Sequence, residues 1–141
     1  TLHCALGNFH SIEVEDLTKH KMDSEQMVIN KEACEIVNKT KREGRHVCAV
    51  GTSVLKATET AIGTDKMLKE YEGWTNKFIF PPYECGLADT MIANFYQSMS
   101  PLLMATAAFG GYDLVMEAYQ KAVDNGYMFG CYGDAMLILN D

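Results

Sequence analysis

The chain has 141 residues, 48% of them hydrophobic, and a formal net charge of −7, which is the length of one domain with enough apolar surface for a core. The acidic balance argues against the chain, taken alone, being a generic nucleic-acid binder, because neutralising phosphates requires a basic face, though it leaves room for a local basic strip. No run approaches the roughly 18 apolar residues of a membrane span, and no basic, apolar and small-residue succession marks a signal peptide, so a soluble, cytoplasmic protein with no membrane partner is expected.

In chain order, Thr1 to Leu6 reads as an apolar strand with nothing before it to pair or cap it, so the chain is expected to begin inside a larger protein. After Gly7 and an acidic stretch (Glu13, Glu15, Asp16), Met27 to Ile29 is a short strand candidate. A helix is expected from Lys31 to about Glu43, with Asn30 as cap, a Glu35 to Lys39 pair and Gly44 as terminator. Lys39, Lys41, Arg42, Arg45 and His46 are the densest positive cluster, read as the solvated C-terminal end of that helix in preference to a basic binding strip.

His46 to Val50 follows as a buried strand, and Gly51-Thr52-Ser53 turns it into a helix through about Ile62. The turn lacks the glycine spacing of a dinucleotide site and the lysine of a Walker loop. Thr52 and Ser53 therefore serve either as ligand donors or as plain helix caps. Thr64 to Trp74 reads as a loop or a frayed helical end, and Lys77 to Phe80 as a strand stopped by Pro81-Pro82.

Met91 to Phe95 is another strand candidate, and Ser100-Pro101 is a helix start running to Phe109 and a Gly110-Gly111 break. A helix N-terminus attracts carboxylate or phosphate, so Asn94, Phe95, Tyr96 and Ser100 form a candidate site. The clearest helix covers Tyr112 to Asn125, with Leu114, Val115, Ala118, Tyr119, Ala122 and Val123 on its apolar face and Gly126 beyond. Tyr132 to Leu139 closes the chain as an apolar run fit for a buried strand. Alternating strands and helices predict an α/β fold, a layered sheet with flanking helices.

The five cysteines are odd in number and unpaired in spacing, which favours reduced core thiols over a metal or redox site. The four histidines never fall at metal-ligand spacing, so no metal is expected, although His10 and His20 lie near many carboxylates.

These blocks, in this order, resemble the S-adenosylmethionine:tRNA ribosyltransferase-isomerase family of queuosine biosynthesis. Leu2-His3, Gly7, Phe9 and Glu13-Val14-Glu15-Asp16 resemble its Leu-His-Val-Gly-x-Gly-Thr-Phe segment and continuation, and His20, Met22, Ser24 and Glu25 its His-x-Met-x-Ser-Glu pattern. Val50-Gly51-Thr52-Ser53-Val54 with Lys56 and Glu59 resembles Val-Gly-Thr-Thr-Ser/Val-x-Arg-x-x-Glu. Asn94 to Met104 resembles Asn-Phe-His-x-Pro-x-Ser-Thr-Leu-Leu-Met, and Tyr132-Gly133-Asp134-Ala135-Met136-Leu137 the closing signature.

The resemblance implies that residues 1–141 are the C-terminal portion of the α/β domain of a larger two-domain enzyme, without its inserted β-barrel and amino-terminal motifs. It implies transfer of the ribosyl part of S-adenosylmethionine to 7-aminomethyl-7-deazaguanine in tRNA and isomerisation to epoxyqueuosine, with release of adenine and methionine. S-Adenosylmethionine is then a substrate, with no prosthetic group, and the modified tRNA is the partner.

Substrate-binding residues are expected among Thr52, Ser53, Lys56, Asn94, Phe95, Tyr96, Ser100 and Asp134, with no catalytic role assigned to any. Asp134 is read either as a partner for a substrate hydroxyl or as a local backbone cap.

The chain departs from the family pattern at several polar positions. Lys56 stands for arginine, keeping charge but losing the planar fork. Tyr96 stands for histidine, which titrates near neutral pH whereas tyrosine does not. Ser98 stands for proline, Pro101 and Ala93 for threonine, and Asn8 for another threonine. These changes leave open an alternative, a diverged non-catalytic homologue that retains ligand or RNA binding; the isolated chain is expected to be inactive in either case.

Overall fold

The computed structural model describes residues 1–140. Its elements run β1 (Glu25–Ile29), α1 (Lys31–Arg42), β2 (Cys48–Val50), α2 (Thr52–Ala61), β3 (Tyr71–Thr75), β4 (Thr90–Asn94), α3 (Pro101–Gly110), α4 (Tyr112–Asp124) and β5 (Ala135–Leu139), with 3-10 turns at Leu6–Phe9 and Leu17–Lys19. The alternation yields an α/β architecture, but the strands divide into two sheets. β1 pairs antiparallel with β3; β2 lies parallel to β4, and β5 antiparallel to β4 on its other side.

The helices sit where capping chemistry places them. Asn30 Oδ1 accepts from the Ala33 N–H at 2.9 Å to start α1, and Gly44, at φ +67°, ends it in the left-handed conformation that glycine adopts without strain. Ser100 Oγ accepts from the Leu103 N–H at 3.1 Å, with Pro101 at the first helical position of α3. The ion pairs on α1 are Lys31–Glu35 and Lys39–Glu43, in place of the expected Glu35–Lys39. Lys41 is not merely solvated, since its Nζ donates to the carbonyls of Gly86 and Leu87 at 3.3 and 2.9 Å.

Five strand expectations change. His46 to Val50, expected as a buried strand, is a strand only over Cys48–Val50, and of these three residues only Ala49 is buried. Thr1 and His3 add backbone hydrogen bonds along the edge of β1, but beyond the Leu2–Met27 bridge the chain turns off into a 3-10 turn. Tyr71–Thr75, expected as a loop or a frayed helical end, is a strand in which Gly73 lies opposite Met27. Lys77 to Phe80 forms no ladder; Ile79 is buried, and the Phe78 ring packs against His20 and Phe80 at 4.8 and 4.9 Å between centroids. β5 is buried only at Ile138, leaving Leu137 60% and Leu139 63% exposed.

The main core lies between the β2–β4–β5 sheet and helices α2 and α3, around Ala49, Leu55, Met91, Phe109 and Ile138. A second cluster, Phe95, Leu103, Val115 and Tyr119, joins α3 to α4. The apolar face of α4 is narrower than its sequence predicts, because Leu114 and Val123 face solvent. A third cluster, Met27, Cys34, Leu68 and Leu87, lies beneath the two-stranded sheet. Of the cysteines expected in the core only Cys34 is buried; Cys85 is half-buried, and Cys4, Cys48 and Cys131 are exposed. Among the described residues no helix is long and apolar enough to cross a membrane.

Candidate functional site

Two parallel strands end side by side, and each feeds a helix. β2 passes through Gly51 into α2, while β4 passes through Phe95 and Tyr96 to Ser100 and α3. Ligands of open α/β sheets bind in the crevice beyond the carboxyl ends of such strands. A cavity of about 140 Å³ lies there, with Cys4, Asn8 and Phe9 of the first 3-10 turn region on one side and Thr52, Ser53, Asn94, Tyr96, Leu102 and Cys131 around it. Asn8, Thr52, Ser53 and Leu102 also line a narrower inner cavity of about 20 Å³ that reaches Lys56, Lys77, Phe78 and Pro101.

Gly51 makes the entrance. It is the N-cap of α2 at φ +94° and ψ +146°, a conformation essentially reserved to glycine. No side chain caps this helix, so Thr52 and Ser53 do not serve as its caps. The Thr52 and Ser53 N–H groups have no partner among the described residues, which leaves the positive end of the helix dipole open to the cleft. Thr52 is only 4% exposed, and its hydroxyl likewise has no partner among the described residues. The Ser53 hydroxyl accepts from the Cys4 thiol at 3.6 Å.

The other expected site residues divide between lining and scaffold. Tyr96 lines the outer cavity, half-buried, with its backbone N–H donating to the Tyr119 hydroxyl at 2.9 Å. Burial is the main cause that pushes the Tyr119 phenol up to about 12. Asn94 also lines it, but its amide donates to the carbonyls of Gly133 and Asp134 at 3.2 and 3.3 Å.

Phe95 points into the core, edge-on to Tyr119 with ring centroids 5.2 Å apart. Ser100 is buried, and its hydroxyl, besides capping α3, donates to the Gln97 carbonyl at 2.8 Å. Asp134 accepts from the Met128 N–H at 2.7 Å, the local backbone bond that sequence left as one of two readings.

Lys56 reaches the inner cavity from α2, where it is ion-paired with Glu25 and donates to Asn8 Oδ1 at 3.2 Å. Glu25 Oε1 further accepts from the Ala5 N–H and the Asn8 amide, each at 2.6 Å. One turn along α2, Glu59 accepts from the Gly86 and Leu87 N–H groups at 3.0 and 3.1 Å and from the Tyr83 hydroxyl at 3.1 Å. Burial and then the Glu59 charge push the Tyr83 phenol upward and the Cys85 thiol up to about 12.

Sequence reasoning did not assign Asn8, Glu25, Lys77 or Tyr83 to a site. Glu25 and Asn8 fall within the motif blocks, which was the available signal. Lys77 carried none, because it opens a run that reads as strand. Among the described residues no group of three or more His, Cys, Asp or Glu side chains is placed to hold a metal ion.

The family model described as queuosine biosynthesis protein matches residues 1–138. The S-adenosylmethionine:tRNA ribosyltransferase-isomerase of Phocaeicola vulgatus is 63% identical over 140 residues, covering 99% of this chain and 40% of that protein. The protein of the same name from Parabacteroides distasonis is 65% identical over 139 residues, with the same two coverages of 99% and 40%. The crystal structure of the S-adenosylmethionine tRNA ribosyltransferase from Thermotoga maritima is similar at a TM-score of 0.77 and 43% identity, over 82% of this chain and 40% of that one. The chain thus spans about 40% of the length of the curated relatives it matches.

Proposed function

Since the chain belongs to the queuosine biosynthesis protein family, we propose that it supplies part of the active site of a longer, cytoplasmic S-adenosylmethionine:tRNA ribosyltransferase-isomerase. In this reading residues 1–141 are the C-terminal portion of the α/β domain, and the rest of the protein completes both the domain and the site. The reaction moves the ribosyl part of S-adenosylmethionine to 7-aminomethyl-7-deazaguanine in tRNA and isomerises it to epoxyqueuosine, releasing adenine and methionine. S-Adenosylmethionine is consumed as a substrate and no prosthetic group is invoked.

The observation that carries this reading is the cleft at the carboxyl ends of β2 and β4, with the uncapped start of α2 facing it. Such chemistry requires the donor held by its non-reacting end and its ribose fixed against the acceptor base. The Thr52 and Ser53 N–H groups and the Thr52 hydroxyl suit the first task, because they are donors at the positive end of a helix dipole. Tyr96 suits the second as a hydrogen-bonding wall of the outer cavity. Asn94, Ser100 and Asp134 act through the backbone they hold, fixing the strand end, the start of α3 and the 128–134 loop. No observation favours the non-catalytic alternative.

The test is adenine release from S-adenosylmethionine by the longer protein in the presence of tRNA carrying 7-aminomethyl-7-deazaguanine. One adenine per modified tRNA is expected from the longer protein and none from the 141-residue chain alone. A folded, complete protein that releases no adenine would overturn the proposal.

A further inference from the structure

Two lysines line the inner cavity, and their ammonium groups are not equivalent. Lys56 is already neutralised. Its side chain is 8% exposed and is ion-paired with Glu25, whose side chain is 1% exposed. Lys77 forms no ion pair among the described residues; its Nζ donates to the Tyr83 hydroxyl at 3.0 Å and lies 5.4 Å from the centre of that ring. Because the Tyr83 hydroxyl donates onward to Glu59, Lys77 meets a neutral oxygen and has donors left over.

The same cavity is lined by Thr52, nine-tenths buried with an unpartnered hydroxyl, at the uncapped N-terminus of α2. Its volume of about 20 Å³ admits a small terminal group, not a nucleoside. Unspent cation, open helix N-terminus and small buried volume together describe a seat for a carboxylate.

Resting on the reading above, we propose that this inner cavity is the subsite for the α-carboxylate of the methionyl part of S-adenosylmethionine, with Lys77 as its charge partner and Lys56 as a scaffold cation. Sequence alone directs attention to Lys56, which occupies the family's arginine position. The fold moves the role across the cavity, because Glu25 reaches Lys56 first.

The experiment is calorimetric binding of S-adenosylmethionine and of its decarboxylated analogue to the longer protein, unsubstituted and as Lys77→Met and Lys77→Arg. The unsubstituted protein is expected to prefer the carboxylate form by about ten- to a hundred-fold, the range of one charged hydrogen bond. Lys77→Met should erase that preference while binding the analogue as before, and Lys77→Arg should keep most of it, which separates lost charge from lost folding. A preference that survives in folded Lys77→Met overturns the proposal and leaves the functional reading standing. So does Lys77→Met weakening substrate tRNA but not S-adenosylmethionine, which would assign Lys77 to phosphate. No binding of S-adenosylmethionine by the unsubstituted protein overturns the functional reading, and the subsite with it.

Discussion

Glu25 and Lys56 form the most enclosed charge pair among the described residues, and their energetics are asymmetric. Burying both charges costs desolvation that their attraction offsets only with good geometry, whereas removing one leaves the other charged and unpaired. Lys56→Met should therefore destabilise the fold by about 3–5 kcal/mol, the range for breaking a buried pair. Adding Glu25→Gln in that background should recover a large part. The glutamine removes the orphaned charge, and its carbonyl can still accept from the Ala5 N–H and the Asn8 amide, as Glu25 Oε1 does. Urea unfolding of the single and double variants checks this; a Lys56→Met protein as stable as the unsubstituted chain would show that the pair holds nothing. Glu25 joins α2 to the first 3-10 turn across 31 residues of sequence to Lys56. Sequence patterns with a period of a few residues do not report a partner at that distance.

Helix starts are the elements on which the site is built, and α2 and α3 begin by opposite devices. α3 is closed by its own serine, so Ser100→Ala should cost about 1 kcal/mol, the usual worth of a cap. α2 is left open by a glycine whose added Cβ would meet nothing within 4 Å, so the cost of Gly51→Ala comes from backbone conformation alone, about 1–3 kcal/mol. Thermal unfolding should register both, but only Gly51→Ala should also weaken ligand binding, since it moves the Thr52 and Ser53 N–H groups. Equal loss of binding in the two variants would count against α2 as the ligand-facing helix.

These elements were also the legible ones. Asn30, Ser100-Pro101, Gly44 and Gly126 announce helix ends through local chemistry, whereas the Gly51-Thr52-Ser53 turn reads equally as ligand donors or as helix caps, and only the fold removes the second reading. Strand assignments failed where local composition and long-range pairing disagree. Gly73 masks β3, whose pairing with β1 crosses more than 40 residues, and Lys77 to Phe80 has the apolar run of a strand with no strand beside it. Lys77 was hidden for the same reason, since its place opposite the start of α2 is a property of the folded chain.

At the scale of the whole molecule, the β2–β4–β5 sheet is covered on one face only. Ala49, Met91, Ala93 and Ile138 pack under α2 and α3, while on the other face Val50 is 63%, Leu137 60% and Leu139 63% exposed, Val50 and Leu137 in register with Ile92, and Leu139 and Cys48 in register with Thr90. Parallel strand pairs are normally buried on both faces, and contiguous apolar surface of this kind marks a contact with further protein. Because the chain spans about 40% of its relatives' length, the occupant we expect is the remainder of the longer protein. Cys48 reports on this directly, as an exposed thiol on the open face. Iodoacetamide should alkylate Cys48 readily in the 141-residue chain, slowly in the native longer protein, and readily again once that protein is denatured. Equal labelling of Cys48 in both native proteins would mean that the face stays open, and the sheet would then have to be completed elsewhere. Protection would place further residues of the longer protein against β2, the strand whose carboxyl end opens into the cleft, so that covering the sheet and closing the site become one structural event.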